Sequence, residues 1–110
     1  MSVLSIADEG IISKRDDRSS FFPGITVLGE HELIATQHVG SDCSHPDNDL
    51  EILRSHDGGK TWDSEGLVQG GKQHADWAYR APQITRLGSG QLVMVAERCR
   101  DEGSGSFDFE

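Results

Sequence analysis

The sequence predicts an all-β protein built from repeated four-stranded antiparallel sheets. Three observations carry that prediction. The chain repeats itself at a fixed spacing. Its apolar runs are short and do not alternate with polar residues. Its turns are marked by glycine, with 13 glycines against 3 prolines in 110 residues. No segment shows the sustained 3.6-residue spacing of an amphipathic helix.

The repeat sets the order of elements. When FFPGITVLGEHELIATQHV is laid over YRAPQITRLGSGQLVMVAER, Pro23 falls on Pro82, an offset of 59 residues. Ile25 then meets Ile84, Thr26 meets Thr85, Leu28 meets Leu87, Gly29 meets Gly88 and Leu33 meets Leu92. Further on, Asp42 meets Asp101, Asp49 meets Asp108 and Glu51 meets Glu110, with no gap introduced. Within one unit, Pro23 to Leu28 reads as a short strand and Gly29 to His31 as a turn, matched by Gly88 to Gly90. Leu33 to Thr36 and Leu92 to Ala96 are apolar without alternation, the pattern of strands buried on both faces. A polar loop from Gly40 to Asn48 leads to a third strand, Leu50 to Ser55. A turn at Asp57 to Thr61 follows, and Trp62 opens a fourth segment.

A single sheet of this kind would leave apolar surface on both faces. Radial packing of several sheets covers it, which is the β-propeller. On this reading residues 1–22 form an N-terminal strand and lead-in, 23–78 a first blade and 79–110 the start of a second. That amounts to about one and a half to two blades. Glu110 falls where Glu51 does, inside a strand, so the reading expects a longer parent and expects the 110-residue chain by itself to associate or to stay partly unfolded.

Composition narrows the function. A net charge of −9 disfavours nucleic acid and anionic membranes, which require a cationic surface. No stretch is long and apolar enough for a membrane span. The N-terminus carries no signal-peptide pattern, so the expectation is a cytoplasmic protein or a secreted one whose start is missing. Cys43 and Cys99 are too few for a disulfide scaffold, although they occupy matching loops of the two units.

Ser55-His56-Asp57-Gly58-Gly59-Lys60-Thr61-Trp62 matches the Asp-box pattern Ser-x-Asp-x-Gly-x-Thr-Trp at Ser55, Asp57, Gly59, Thr61 and Trp62. Its chemistry suits a rigid turn. Asp57 can accept backbone N–H groups of its own turn. Gly58 and Gly59 supply positive φ, and Trp62 covers the turn. With Tyr79-Arg80-Ala81-Pro82, similar to the aromatic-Arg-Ile-Pro opening of a catalytic blade, the chain resembles the sialidase (neuraminidase)-like Asp-box propellers. The resemblance covers most of residues 20–110 and implies a full propeller of about six blades. It also implies that the Asp-box lies away from the active site.

The resemblance further implies that Arg80 faces the central channel and grips the carboxylate of an acidic sugar through paired, charge-assisted hydrogen bonds. A surface ion pair is the alternative for Arg80. The run Glu97-Arg98-Cys99-Arg100-Asp101 is similar to a Glu-x-Arg rim element, and leaves open whether Arg98 or Arg100 lines the pocket. Asp101 is a candidate acid, although two nearby arginines oppose the raised pKa an acid needs. In the matching loop of the first unit Asp42 and Asp47 are candidate acids, with His45 beside them. No metal or cofactor is implied, and the expected partner is an acidic glycan. The alternative function is a non-catalytic Asp-box propeller, a scaffold for protein or glycan.

A sialidase also needs a tyrosine nucleophile with a glutamate partner and further arginines. Tyr79, the one tyrosine, belongs to the motif beside Arg80. The purified 110-residue chain should therefore show no turnover of a fluorogenic sialoside. Release of fluorophore above a blank would refute this.

Overall fold

The computed structural model of the chain describes residues 4–43, 45–68, 77–101 and 107–109, with Asp101 and 107–109 described by their backbone. Among these residues there is no helix. The strands are β1 (Ser19–Val27), β2 (Leu33–Gly40), β3 (Asp49–Ser55), β4 (Asp63–Leu67), β5 (Trp77–Arg86), β6 (Leu92–Asp101) and β7 (Phe107–Phe109). They form two antiparallel meanders, a four-stranded sheet β1-β2-β3-β4 and a three-stranded sheet β5-β6-β7. The all-β prediction holds. The first strand begins at Ser19, four residues ahead of the expected Pro23.

The sequence repeat is a structural repeat. Thr26 pairs with Ile34 as Thr85 pairs with Val93, and Phe21 pairs with His38 as Arg80 pairs with Glu97. Both first strands carry a bulge at the same place, between Phe21 and Gly24 and between Arg80 and Gln83. At each bulge the residue before proline takes a left-handed conformation, Phe22 at φ 47° and Ala81 at φ 45°. A side chain in that region is strained by about 1–3 kcal/mol, which the surrounding sheet must offset. The following turns close alike: Leu28 N–H donates to Glu32 O at 2.8 Å, and Leu87 N–H to Gln91 O at 2.8 Å.

The repeat departs from its gapless form at the third strand. Val39 pairs with Asp49, which would place Arg98 opposite Asp108; instead Arg100 pairs with Asp108. β6 continues to Asp101, whereas β2 stops at Gly40. A shift of two residues keeps every side chain on its face.

β5 is the strand of the second sheet that lies on the first. The Thr36 hydroxyl donates to Pro82 O at 3.0 Å, the Thr26 hydroxyl to Ile84 O at 2.5 Å, and Arg86 Nη1 to Leu28 O at 2.7 Å. Ile34, Thr36 and His38 are thereby sealed, at 2% exposure or less. The opposite face of the first sheet centres on Glu51, only 3% exposed. Its carboxylate accepts from Gln37 Nε2 at 2.7 Å, from the Ser64 hydroxyl at 2.8 Å and from Arg15 Nη1 at 3.0 Å. Arg15 belongs to the N-terminal lead-in, so a buried charge fastens that segment to the sheet. The second sheet differs. Leu92 to Ala96 was expected to be buried on both faces, yet Val93 is 43% and Val95 67% exposed. β5 covers this face of the first sheet, and no described element covers its equivalent in the second.

The Asp-box forms the β3–β4 turn. The Ser55 hydroxyl donates to Asp57 Oδ1 at 2.9 Å and accepts from Gly59 N–H at 2.8 Å. Asp57 Oδ1 accepts from Thr61 N–H at 2.9 Å, and Oδ2 from the Thr61 hydroxyl at 2.5 Å. Gly58 and Gly59 adopt φ 74° and 93°, and Trp62 Nε1 donates to Gly59 O at 3.0 Å. The Thr61 hydroxyl and then its N–H hold the Asp57 carboxyl down at about 2, so it stays ionised. Gly58 N–H donates to His31 O at 2.8 Å, tying this turn to the β1–β2 turn. Ser55 is 1% exposed. Ser55→Ala should therefore cost about 1–2 kcal/mol by leaving buried donors without a partner, read as a lower urea midpoint with an unchanged slope. An unaltered midpoint would count against this account of the turn.

Candidate functional site

Side chains of adjacent strand residues point to opposite faces. Before its bulge, β5 therefore splits its functional residues. Trp77 pairs with Arg100 and Tyr79 with Arg98, on one face; Ala78 pairs with Cys99 and Arg80 with Glu97, on the other. Arg80 does not share a pocket with Arg98 or Arg100.

On the first face the Arg98 guanidinium lies 4.5 Å from the centroid of the Trp77 ring and that of Arg100 5.9 Å. An indole attracts a cation through its ring quadrupole, and arginine does so while keeping its N–H fork in the ring plane for other acceptors. Trp77 is 9% exposed. The sequence left Arg98 and Arg100 as alternatives; the structure gathers both at one aromatic ring.

On the second face Arg80 is largely buried, its side chain 18% exposed. Its Nε stands 3.7 Å from Glu97 Oε2, and its guanidinium 5.6 Å from the centroid of Phe22. The sequence held a surface ion pair as the alternative to carboxylate binding; here the arginine of the pair is largely buried and its glutamate exposed. His38 completes the cluster. It is fully buried and stacks on Phe21 with ring centroids 5.1 Å apart, and Phe22 lies 5.5 Å away. Its Nδ1 accepts the Ala81 N–H at 3.2 Å, so a ring nitrogen of the first sheet binds the strained backbone of the second.

Burial, reinforced by the Arg80 charge, pushes the His38 pKa down from 6.5 to about 4. The Cys43 backbone opposes the shift, although Nε2 meets no acceptor at full hydrogen-bond geometry. His38 is thus neutral near pH 7, as an Nδ1 acceptor must be. Sequence reasoning missed His38. The one signal was its alignment with Glu97, a polar residue in both copies inside an apolar strand.

In the loop after β2, Asp47 is braced by its neighbours. Asp47 Oδ1 accepts from Ser41 N–H at 3.0 Å, Oδ2 from the Ser41 hydroxyl at 2.5 Å, and His45 Nδ1 lies 2.8 Å from Oδ1. Burial pushes this carboxyl up, but the Ser41 and His45 bonds outweigh it and hold the pKa at about 2. A general acid must carry its proton near neutrality, and these bonds favour the ionised form of Asp47. Asp42 is exposed, and the Asn48 amide, in its better-satisfied orientation, donates to Asp42 O at 3.0 Å. Asp101 ends β6 and pairs with Phe107, while its side chain lies outside the described residues.

Cys43 is exposed, and Cys99 is buried within β6 rather than in a loop, its thiol donating to Ala78 O at 3.8 Å. Among the described residues no group of three histidine, cysteine or acidic side chains could hold a metal. A cavity of about 560 Å³ lies against Glu51, Arg15 and Trp62. Comparison with protein-family models, curated proteins and solved structures found no match.

His38 gives a pH signature. Its folded pKa of about 4 lies below the ordinary 6.5, so the unfolded chain takes up its proton at the higher pH. Stability should fall as pH drops from 6.5 to 4, by roughly 3 kcal/mol at most, and should level off below that window. Asp47 and Asp57 lose their contributions only as pH falls from about 4 toward 2. Urea midpoints measured across this range should therefore show two acid steps. His38→Gln should flatten the upper one; an unchanged upper step would remove His38 from the account.

Proposed function

We propose that the chain is part of a sialidase-like Asp-box β-propeller and that its role is to bind the carboxylate of an acidic sugar. The observation that carries this reading is the convergence of Arg98 and Arg100 on Trp77, at 4.5 and 5.9 Å. Two guanidiniums gathered at one indole offer charge-assisted donors for a carboxylate. They do so on a chain of net charge −9, where cationic groups gathered in one place stand out. The Asp-box turn and the paired meander sheets support the propeller part of the reading. Arg80, held by Glu97 behind the same strand, positions β5 in this proposal and would reach a carboxylate only by exchanging its partner.

A second reading is favoured by the ionised state of Asp47, which removes one proton donor. Here the chain belongs to a non-catalytic Asp-box propeller serving as a scaffold for protein or glycan.

Titration of the chain with N-acetylneuraminic acid, followed through the Trp77 indole N–H resonance, tests the first reading. The resonance should move saturably with the acid and not with its methyl ester. Arg98→Ala combined with Arg100→Ala should weaken the response at least tenfold, about 1.4 kcal/mol. An equal response to the ester, or none to the acid, would leave the scaffold reading.

A further inference from the structure

The two sheets meet through one interface, and the repeat presents each half of that interface a second time, uncovered. The acceptor half on the first sheet is Ile34, Thr36 and His38, sealed under β5. Its equivalents on the second sheet are Val93, Val95 and Glu97, of which Val93 is 43% and Val95 67% exposed. A depression of about 280 Å³ lies there, lined by Ala81, Gln83, Val95, Ala96 and Glu97. The donor half on β5 includes Pro82 and Ile84, at most 9% exposed. Its equivalents on β1 are Pro23, which is exposed, and Ile25, which is 52% exposed.

We infer that the open face of the second sheet is the docking surface for a second copy of this chain, which lays its β1 there as β5 lies on the first sheet. Two of the four polar contacts of the known interface have counterparts in this arrangement, while Val95 in place of Thr36 and Val27 in place of Arg86 replace the other two by apolar contact. Ala81 N–H donates to His38 Nδ1; by the repeat, Phe22 N–H of the incoming copy meets the Glu97 carboxylate, another acceptor. The Thr26 hydroxyl donates to Ile84 O; the Thr85 hydroxyl takes the same place opposite Ile25 O. The size match is kept as well. Gly24 leaves room for the Gln83 side chain, since a Cβ on Gly24 would come within 2.8 Å of Gln83 Oε1. The repeat brings the same two residues together across the new contact, with their roles exchanged.

Such a contact is head-to-tail, so it adds copies until a ring closes or a filament grows. Like charge opposes it, because each copy carries −9, and added salt strengthens it by screening. The inference rests on the repeat geometry and concerns this chain by itself; it does not use the sugar-binding residues, and in the propeller of the proposed function a further blade would take the place of the second copy.

Sedimentation velocity of the full chain tests it with two surface variants, Val95→Lys on the acceptor face and Ile25→Lys on the donor strand. Both reduce the net negative charge, so loss of association cannot come from greater repulsion. The wild-type chain should associate with rising concentration and more strongly with salt. Each variant alone should remain monomeric. An equimolar mixture should form a one-to-one heterodimer and stop, since one intact interface remains and both outer surfaces are blocked. Val93→Lys serves as the acceptor-side variant if circular dichroism shows that Val95→Lys is unfolded. A wild-type chain that stays monomeric overturns the inference and leaves this face to a different protein. Single variants that associate like wild type overturn it, as does a mixture that remains monomeric.

Discussion

A strand that is apolar on both sides must be covered on both sides, and β2 is such a strand. Every residue from Ile34 to Gly40 is buried. One side is closed by β5, which brings the carbonyls of Pro82 and Ile84 onto the hydroxyls of Thr36 and Thr26. The other side is closed around Glu51 and the lead-in residue Arg15. The first sheet is therefore completed by chain lying before and after it in sequence. The bulges, the strained pre-proline residues and the buried histidine all sit where this covering happens.

The candidate site follows from that arrangement. β5 must present its carbonyls and Ile84 to the first sheet, and its bulge sets the phase of its earlier residues. Arg80 is carried to the side of Phe22 and His38, where Glu97 meets it. Trp77 is carried to the side of Arg98 and Arg100. One strand thus separates an internal ion pair from a cationic aromatic cluster, and the two serve different ends. The ion pair sits beside the packing between sheets, and the cluster is the feature on which the proposed carboxylate binding rests.

What was legible in the sequence was what local chemistry or the repeat dictates. The Asp-box turn could be read because Ser55, Asp57, Gly59 and Thr61 bond to one another within a few residues. The order of the first two strands and the turn between them could be read because the second copy repeats them. The separation of Arg80 from Arg98 could not, since it depends on where β5 begins and bulges. The ionised state of Asp47 could not, since it depends on Ser41 folding back across the loop. His38 escaped notice because its partner, Ala81, is 43 residues away. The exposure of Val93 and Val95 reflects what covers the sheet, and apolarity alone cannot distinguish a covered strand from an open one.

The contrast in range between these contacts bears on how the chain folds. The bonds of the Asp-box turn span at most four residues, so closing them costs little loop entropy. The contacts that seat β5 on the first sheet span 43 to 58 residues. Short loops close on faster timescales than long ones. The β3–β4 hairpin can therefore form while the second sheet is still undocked, and Pro82 and Ile84 are then carried onto a first sheet already in register. In kinetic terms the Asp-box is a seed, and the seating of β5 is the late step that completes burial of the core.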